Sequence, residues 1–468
     1  MATTPTASSE PQLTLPSLPQ QQSSWTDDLP VCNISGVGYE TNKAYRRDGY
    51  RTQQHSQEDY SFHFELDKDL CLYGVFDGHD SCRAAHFAHQ RMPAELSFGQ
   101  LTRRGGSDES VREALQQAFL AVEKGFFEMI DESLAQRAML LSEIPEGLTE
   151  FEANRDHPAA MQQLAQLDQA ISGGTTAVIV VVHQNRLYVA NVGDSRALLC
   201  KTDENGILKV LQLTTDHTLT NEDELLRLQQ LGMDVTPLRQ GEKLAGQEVT
   251  RCLGNYRLKA GYREDERLRA CCAEPALAEP DMVSVQLDES CRFLLLLSRG
   301  LYRALEEVRD EPQVNKEVAQ LVVEEFAKST TLEGVAQTVV NRVARDHQDC
   351  FINSGNTRCQ RCEDMTLLVR NFSYPLRPAA GGGGGGAASV AAESATSTTS
   401  GTVAGRSTTN SSSTNSSEPV TNPYSFSLDA DQRIKPYVSF DAYRENLARA
   451  REQGQFTDDT WWKRLLNM

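Results

Sequence analysis

The chain has no apolar run approaching the roughly 20 residues of a membrane-spanning helix. It is also short of positive charge. Its 46 Lys and Arg stand against 65 Asp and Glu, a net charge of −19. A surface of that sign repels phosphate backbones and anionic headgroups, so neither nucleic acid nor a membrane is an expected partner. The eleven cysteines lack an even framework, and no secretory leader opens the sequence. Those two absences argue against a disulfide-built secreted scaffold and for reduced thiols in a cytoplasmic protein. Cys359 and Cys362 have zinc-knuckle spacing, but no second pair completes four ligands.

Composition divides the chain. Residues 1–24 are rich in Pro, Ser, Thr and Gln and too poor in apolar side chains to build a core, so a disordered tail is expected. Residues 25–375 have globular composition. In 376–430 a run of six glycines, Gly381 to Gly386, gives way to a Ser/Thr/Asn tract, the makeup of a flexible linker. In 431–468 Tyr, Phe, Leu and Trp return within a short charged segment.

Strand and helix patterns alternate within the globular part. The run Ala177-Val178-Ile179-Val180-Val181-Val182 reads as a fully buried strand. His183-Gln184-Asn185 follows as a hairpin turn into a second strand, 186–192. Apolar residues at helical spacing predict helices over 110–133, 315–326 and 332–343, with Ser107-Asp108 placed to cap the first. Hairpins interrupted by long helices indicate an α+β layered domain, not a doubly wound parallel sheet.

Five segments, in order, carry a family resemblance. They are Glu58-Asp59, Asp77-Gly78-His79 after an apolar strand, and Ser172-Gly173-Gly174-Thr175-Thr176 with the later run Ala190-Asn191-Val192-Gly193-Asp194-Ser195-Arg196-Ala197. Thr215-Asp216-His217 and Glu363-Asp364-Met365-Thr366 complete the set. This pattern resembles the metal-dependent protein phosphatases of type 2C, over roughly residues 25–374. The resemblance implies an αββα sandwich and a centre of two Mg²⁺ or Mn²⁺ ions bridged by carboxylates, which activate water for phosphoester hydrolysis. It puts one cation on Glu58, Asp77 and the Gly78 carbonyl. The other falls to Asp77, to the position of Arg299 and to Glu363.

Arg299 stands where the family has a carboxylate, and Glu363 is one methylene longer than the family's Asp. A fixed positive charge about 4 Å from a divalent ion costs on the order of 4 kcal/mol per unit charge at an effective dielectric near 20. Arg303 adds a second positive charge where the family has a further Asp. Gln54 occupies the family's phosphate-gripping Arg position, Arg51 lies out of register, and Asn255 replaces an Asp. These departures point to a domain that keeps the fold and has lost the chemistry, with no catalytic residue and no metal at full occupancy. At most, weak residual Mg²⁺ or Mn²⁺ binding is left. Arg299 is then expected to pair with Asp77 or Glu363 in place of metal. Gly193-Asp194-Ser195 is read as a structural turn away from the metals, and His79 as a hydrogen-bonded turn residue. The alternative is an active Ser/Thr phosphatase with a remodelled second site.

In the tail, Pro436-Tyr437-Val438-Ser439-Phe440 leads into a short helix with Phe440, Tyr443 and Leu447 on one stripe and Ser439 as its cap. So short a helix is marginal alone and suits a partner's groove. An inactive type 2C domain, a Ser/Thr-rich linker and this tail together are similar to the family's pseudophosphatase branch. That likeness implies a non-catalytic adaptor whose tail (Pro436, Tyr437, Val438, Phe440, Tyr443, Leu447) binds and activates the TGF-β-activated kinase, a MAP-kinase-kinase kinase. It also implies a folded domain that docks regulators, with a stress-activated MAP kinase and inhibitor-of-apoptosis proteins as further partners.

Overall fold

The structure is a computed structural model and describes residues 29–99, 101, 107–145, 147–309 and 313–377. The segment 1–24, the linker from residue 378 onward and the tail residues Pro436, Tyr437, Val438, Phe440, Tyr443 and Leu447 lie outside the described residues.

In chain order the strands are β1 (Ser35–Glu40), β2 (Lys43–Tyr45), β3 (Arg51–Thr52), β4 (Tyr60–Asp67), β5 (Leu70–His79), β6 (Gly174–His183) and β7 (Arg186–Val192). They continue with β8 (Arg196–Thr202), β9 (Leu208–Gln212), β10 (Leu253–Gly254), β11 (Asp281–Gln286), β12 (Cys291–Leu297), β13 (Arg361–Cys362) and β14 (Met365–Asn371). The helices are α1 (Arg83–Gly99), α2 (Asp108–Glu143), α3 (Glu150–Asp156), α4 (Pro158–Ile171), α5 (Glu222–Gln230), α6 (Thr236–Arg239), α7 (Arg299–Arg309), α8 (Val314–Phe326) and α9 (Leu332–Asp349).

One sheet runs β11-β7-β6-β5-β4, with β10 also paired to β6, and a second runs β1-β14-β12-β8-β9. Every pairing within them is antiparallel. Alternation explains the stacking. In β12, Phe293, Leu295 and Leu297 pack with Val318, Val322, Val335, Val339 and Val343 of α8 and α9, while Leu294 and Leu296 pack with Tyr73, Val178 and Val180 of the other sheet. Facing outward, Phe62, Leu72, Phe76 and Ile179 meet Met92 and Leu96 of α1 and Leu115, Phe119 and Val122 of α2. Burial on both faces is why these strands read as unbroken apolar runs. The layers are therefore helix, sheet, sheet, helix, as expected.

The 183–186 hairpin has the expected form. Gln184 and Asn185 both take positive φ, and His183 pairs with Arg186. Ser107 caps α2 by accepting from the Ser110 amide. Two helices outrun their sequence signal. α2 continues past 133 to Glu143, since its Ala, Gln, Arg, Met and Leu residues favour helix and Arg137 is tied to Asp168 and Glu264 at 2.6 and 2.8 Å. α9 continues past 343 to Asp349 because His347 is itself buried. Between residues 219 and 276 a further small core gathers Leu225, Leu228, Met233, Leu258 and Leu268. Among the described residues no helix is long and apolar enough to cross a membrane.

Candidate functional site

Four chain segments meet at one end of the paired sheets. Strand β5 ends in Asp77-Gly78-His79, the loop before β4 carries Glu58 and Asp59, α7 begins at Arg299, and Glu363-Asp364 lead into β14. Asp364 holds them in register. Its carboxylate accepts the Asn42 amide at 2.7 Å and the Glu58 amide at 3.0 Å. Two glycines allow the close approach. A Cβ on Gly300 would lie 2.1 Å from the Asp364 carbonyl oxygen, and one on Gly78 would lie 2.6 Å from that of Glu58.

Arg299 occupies the centre of this junction. Its backbone amide, at the positive N-terminal end of α7, donates to the Asp77 carboxylate at 2.8 Å. Its guanidinium forks onto Glu363, with Nε and Nη2 each 3.0 Å from an oxygen. Nη1 reaches Glu248 at 3.2 Å. Glu248 in turn accepts from Arg303 at 3.3 Å and lies 3.1 Å from Lys243. The sequence left Asp77 and Glu363 as alternative partners. Arg299 takes both, one with its backbone and one with its side chain.

Burial dominates the electrostatics. It pushes Asp77 well above the usual carboxylate range, with Asp59 as the next contribution in that direction and Arg299 opposing. Burial also raises Asp59 and Glu58, each to about 7. Asp59 accepts from Thr366 at 2.8 Å through one oxygen, while the other has no hydrogen-bond partner among the described residues. His79 is pushed down to about 4 by burial, so it is neutral, and it lies 3.1 Å from the Asn255 side chain. The centre thus holds a packed set of carboxyls, two of them titrating near neutrality, around one fixed cation.

Comparison with known proteins places this geometry. The family description "Protein phosphatase 2C" matches residues 40–348. The chain belongs to the protein phosphatase 2C family. It is 26% identical over 317 residues to a protein named "Probable protein phosphatase 2C 4" of Paramecium tetraurelia, covering 68% of this chain and 87% of that one. It is 25% identical over 302 residues to a Caenorhabditis elegans protein named "TGF-beta-activated kinase 1 and MAP3K7-binding protein 1", covering 64% and 70%. A serine-threonine phosphatase 2C structure from Toxoplasma gondii shares 16% identity over 73% of this chain and 96% of its own, at a TM-score of 0.45.

The donor set does not fit the two-cation centre of the protein phosphatase 2C family. Gly78 packs against the Glu58 backbone next to Asp77, so oxygen donors of the kind a hard cation takes lie in this region. Where the resemblance expects the other cation, the Arg299 guanidinium is paired with Glu363 and the Arg299 amide donates to an Asp77 oxygen. Gln54 lines the adjoining cavity with Arg303 and Glu363, while Arg51 lies exposed on β3, paired to Tyr45 in the small three-stranded sheet.

Sequence reading missed three members. Glu248, from a loop with no motif, is the second acid on Arg299. Asp364 is the structural clamp. Asp194 was placed away from the metals as part of a structural turn, and that placement is corrected in part. Burial raises its pKa, Arg299 is the largest charge opposing that rise, and Asp194 counts among the charges acting on Asp77. The turn is structural as well. Gly193 has φ of +91°, and the Asp194 carbonyl accepts from the Tyr302 hydroxyl at 3.2 Å. His79 is not a turn residue but the last residue of β5, paired with Gly174.

Proposed function

We propose that this protein is a non-catalytic adaptor: its phosphatase-like domain docks regulators, and its tail binds and activates a MAP-kinase-kinase kinase of the TGF-β-activated type. The observation that carries the loss of catalysis is the guanidinium of Arg299 forked onto Glu363 with its amide on Asp77. A group that satisfies two metal-ligand carboxylates by charge-assisted hydrogen bonds removes both the vacancy and the negative charge that draw in a second cation. Gln54 adds a second deficit, since a neutral amide replaces the fork that would grip a phosphoryl group. The kinase partner is supported by the tail's aromatic stripe and by the name of the C. elegans relative. A stress-activated MAP kinase and inhibitor-of-apoptosis proteins are candidates for docking elsewhere on the chain.

One reading competes on a specific observation. Glu58, Asp77 and Gly78 are retained in the sequence, Gly78 packs against Glu58, and relatives named as probable phosphatases match most of their length. An active phosphatase with one tight cation would use that half-site. The separating experiment adds residues 431–468, or the isolated domain 25–375, to the kinase domain and measures autophosphorylation. The adaptor reading expects activation by the tail alone. Absence of activation by the tail would overturn it.

A further inference from the structure

A second cluster of ligating side chains lies outside the degenerate centre. Glu307 near the end of α7, His347 near the end of α9 and Cys359 in the turn before β13 each bring a ligand atom, and these atoms lie within 4.8 Å of one another. His347 and Cys359 are fully buried. The His347 Nε2 is 3.0 Å from a Glu307 oxygen, while Nδ1 has no hydrogen-bond partner among the described residues. Nε2, which faces Glu307, is the ring nitrogen placed to share an ion with that carboxylate in place of the proton the two now share.

We propose that Glu307, His347 and Cys359 bind one Zn²⁺ ion. The donor chemistry selects the metal. Imidazole and thiolate are ligands for a borderline-soft ion, whereas Mg²⁺ and Mn²⁺ demand oxygen. Carboxylate plus thiolate also neutralise a 2+ charge in a buried place. Tetrahedral metal distances of about 2.0–2.3 Å set ligand atoms roughly 3.3–3.8 Å apart, so atoms that already lie within 4.8 Å of one another need only small shifts. Zn²⁺ displaces the Cys359 thiol proton to solvent, and binding therefore tightens as pH rises.

Two surroundings fit a site with an open fourth position. A cavity of about 320 Å³ is lined by Glu307 and His347 together with Gln54, Arg303, Arg358 and Arg361. It brings solvent to the Glu307 and His347 side of the cluster. Beyond Cys359 lies Cys350, within side-chain hydrogen-bonding reach of it. Cys350 opens a π-helical turn, Cys350–Ser354, of the kind that often marks a functional site. Cys362, which the spacing suggested as the partner of Cys359, faces elsewhere, with its Sγ 3.4 Å from the Glu363 carbonyl.

The test uses the full chain, stripped with chelator and titrated with Zn²⁺ against a chromophoric competitor, then with Co²⁺. One ion per chain is expected, with a sulfur-to-Co²⁺ charge-transfer band that an all-oxygen centre cannot give. Cys359→Ser and His347→Gln should each weaken binding by about 100-fold or more, beyond the loss typical of an outer-shell partner. Cys272→Ser, at an exposed thiol, should change nothing. Glu307→Gln, at a less buried position, serves if the buried variants fail to fold. Absence of stoichiometric Zn²⁺ in the unmodified chain overturns the proposal, as does a Co²⁺ band that survives the substitutions.

Discussion

The substitution Arg299→Asp restores the acid of the phosphatases and removes the one cation that Glu363 and Asp77 share. In metal-free buffer the junction then holds Asp77, Glu363, Asp194 and the introduced carboxylate with no guanidinium between them. Charge-assisted hydrogen bonds are worth about 1.5–3 kcal/mol, and Arg299 makes several, to Glu363 and Glu248 by its side chain. Solvent screens part of this, because the Glu363 side chain is 48% exposed and that of Glu248 32%. A loss of about 2–4 kcal/mol is expected, or a fall in melting temperature of roughly 4–10 °C for a domain of this size. Mn²⁺ should recover it, since a ligand at 100 times its Kd contributes about 2.7 kcal/mol. The assay is thermal melting of both proteins with and without Mn²⁺. Adding Glu363→Asp should strengthen the Mn²⁺ response further, with little turnover, because Gln54 still leaves the phosphate ungripped. An Arg299→Asp protein that melts like the parent without metal, or shows no Mn²⁺ response, would refute the view that Arg299 stands in for a cation.

The tail should act on its own. Phe440→Ala and Tyr443→Ala are each expected to weaken kinase binding by about 2–4 kcal/mol as buried aromatic anchors, and Ser439→Ala by about 1 kcal/mol through the cap; calorimetry showing unchanged affinity for both aromatic variants sinks the assignment. Glu58 and Asp59 are both raised to about 7 by burial, above the unfolded value near 4. The folded state thus holds protons that the unfolded chain releases, and their contribution is complete below about 4 and is lost as pH climbs through about 7. Asp281, lowered to about 2 chiefly by its hydrogen bond with His217, works in the opposite sense, and only under acid conditions. Asp59→Asn, a mimic of the protonated acid, should flatten the fall in melting temperature between about pH 5.5 and 7.5. An unaltered slope would show that Asp59 is not the titrating group.

The layered fold was legible because its strands are buried on both faces and its helices on one. AVIVVV at 177–182 and FLLLL at 293–297 could only be central strands, and 315–326 and 332–343 carried clean apolar stripes. Asp77 and Gly78 were expected to follow an apolar strand, and they lie at the end of β5, where Gly78 packs against the Glu58 backbone. What escaped depended on contacts distant in sequence. Glu248 reaches Arg299 from 51 residues away, with no local pattern to announce it. Asp364 looked like the neighbour of a metal ligand, yet its work is to hold the Asn42 and Glu58 amides. The Glu307, His347 and Cys359 cluster joins two helix ends and a turn, a spacing that no linear motif encodes. The ends of α2 and α9 were missed because their last turns are held by Arg137 ion pairs and by a buried His347, not by an apolar stripe.

The most direct measurement is the Mn²⁺-dependent release of phosphate from a phosphothreonine peptide by the purified full chain, run beside its Asp77→Asn variant. The account expects both to match the protein-free blank at millimolar metal. Turnover by the unmodified chain that Asp77→Asn abolishes would show that Arg299 has not silenced the centre.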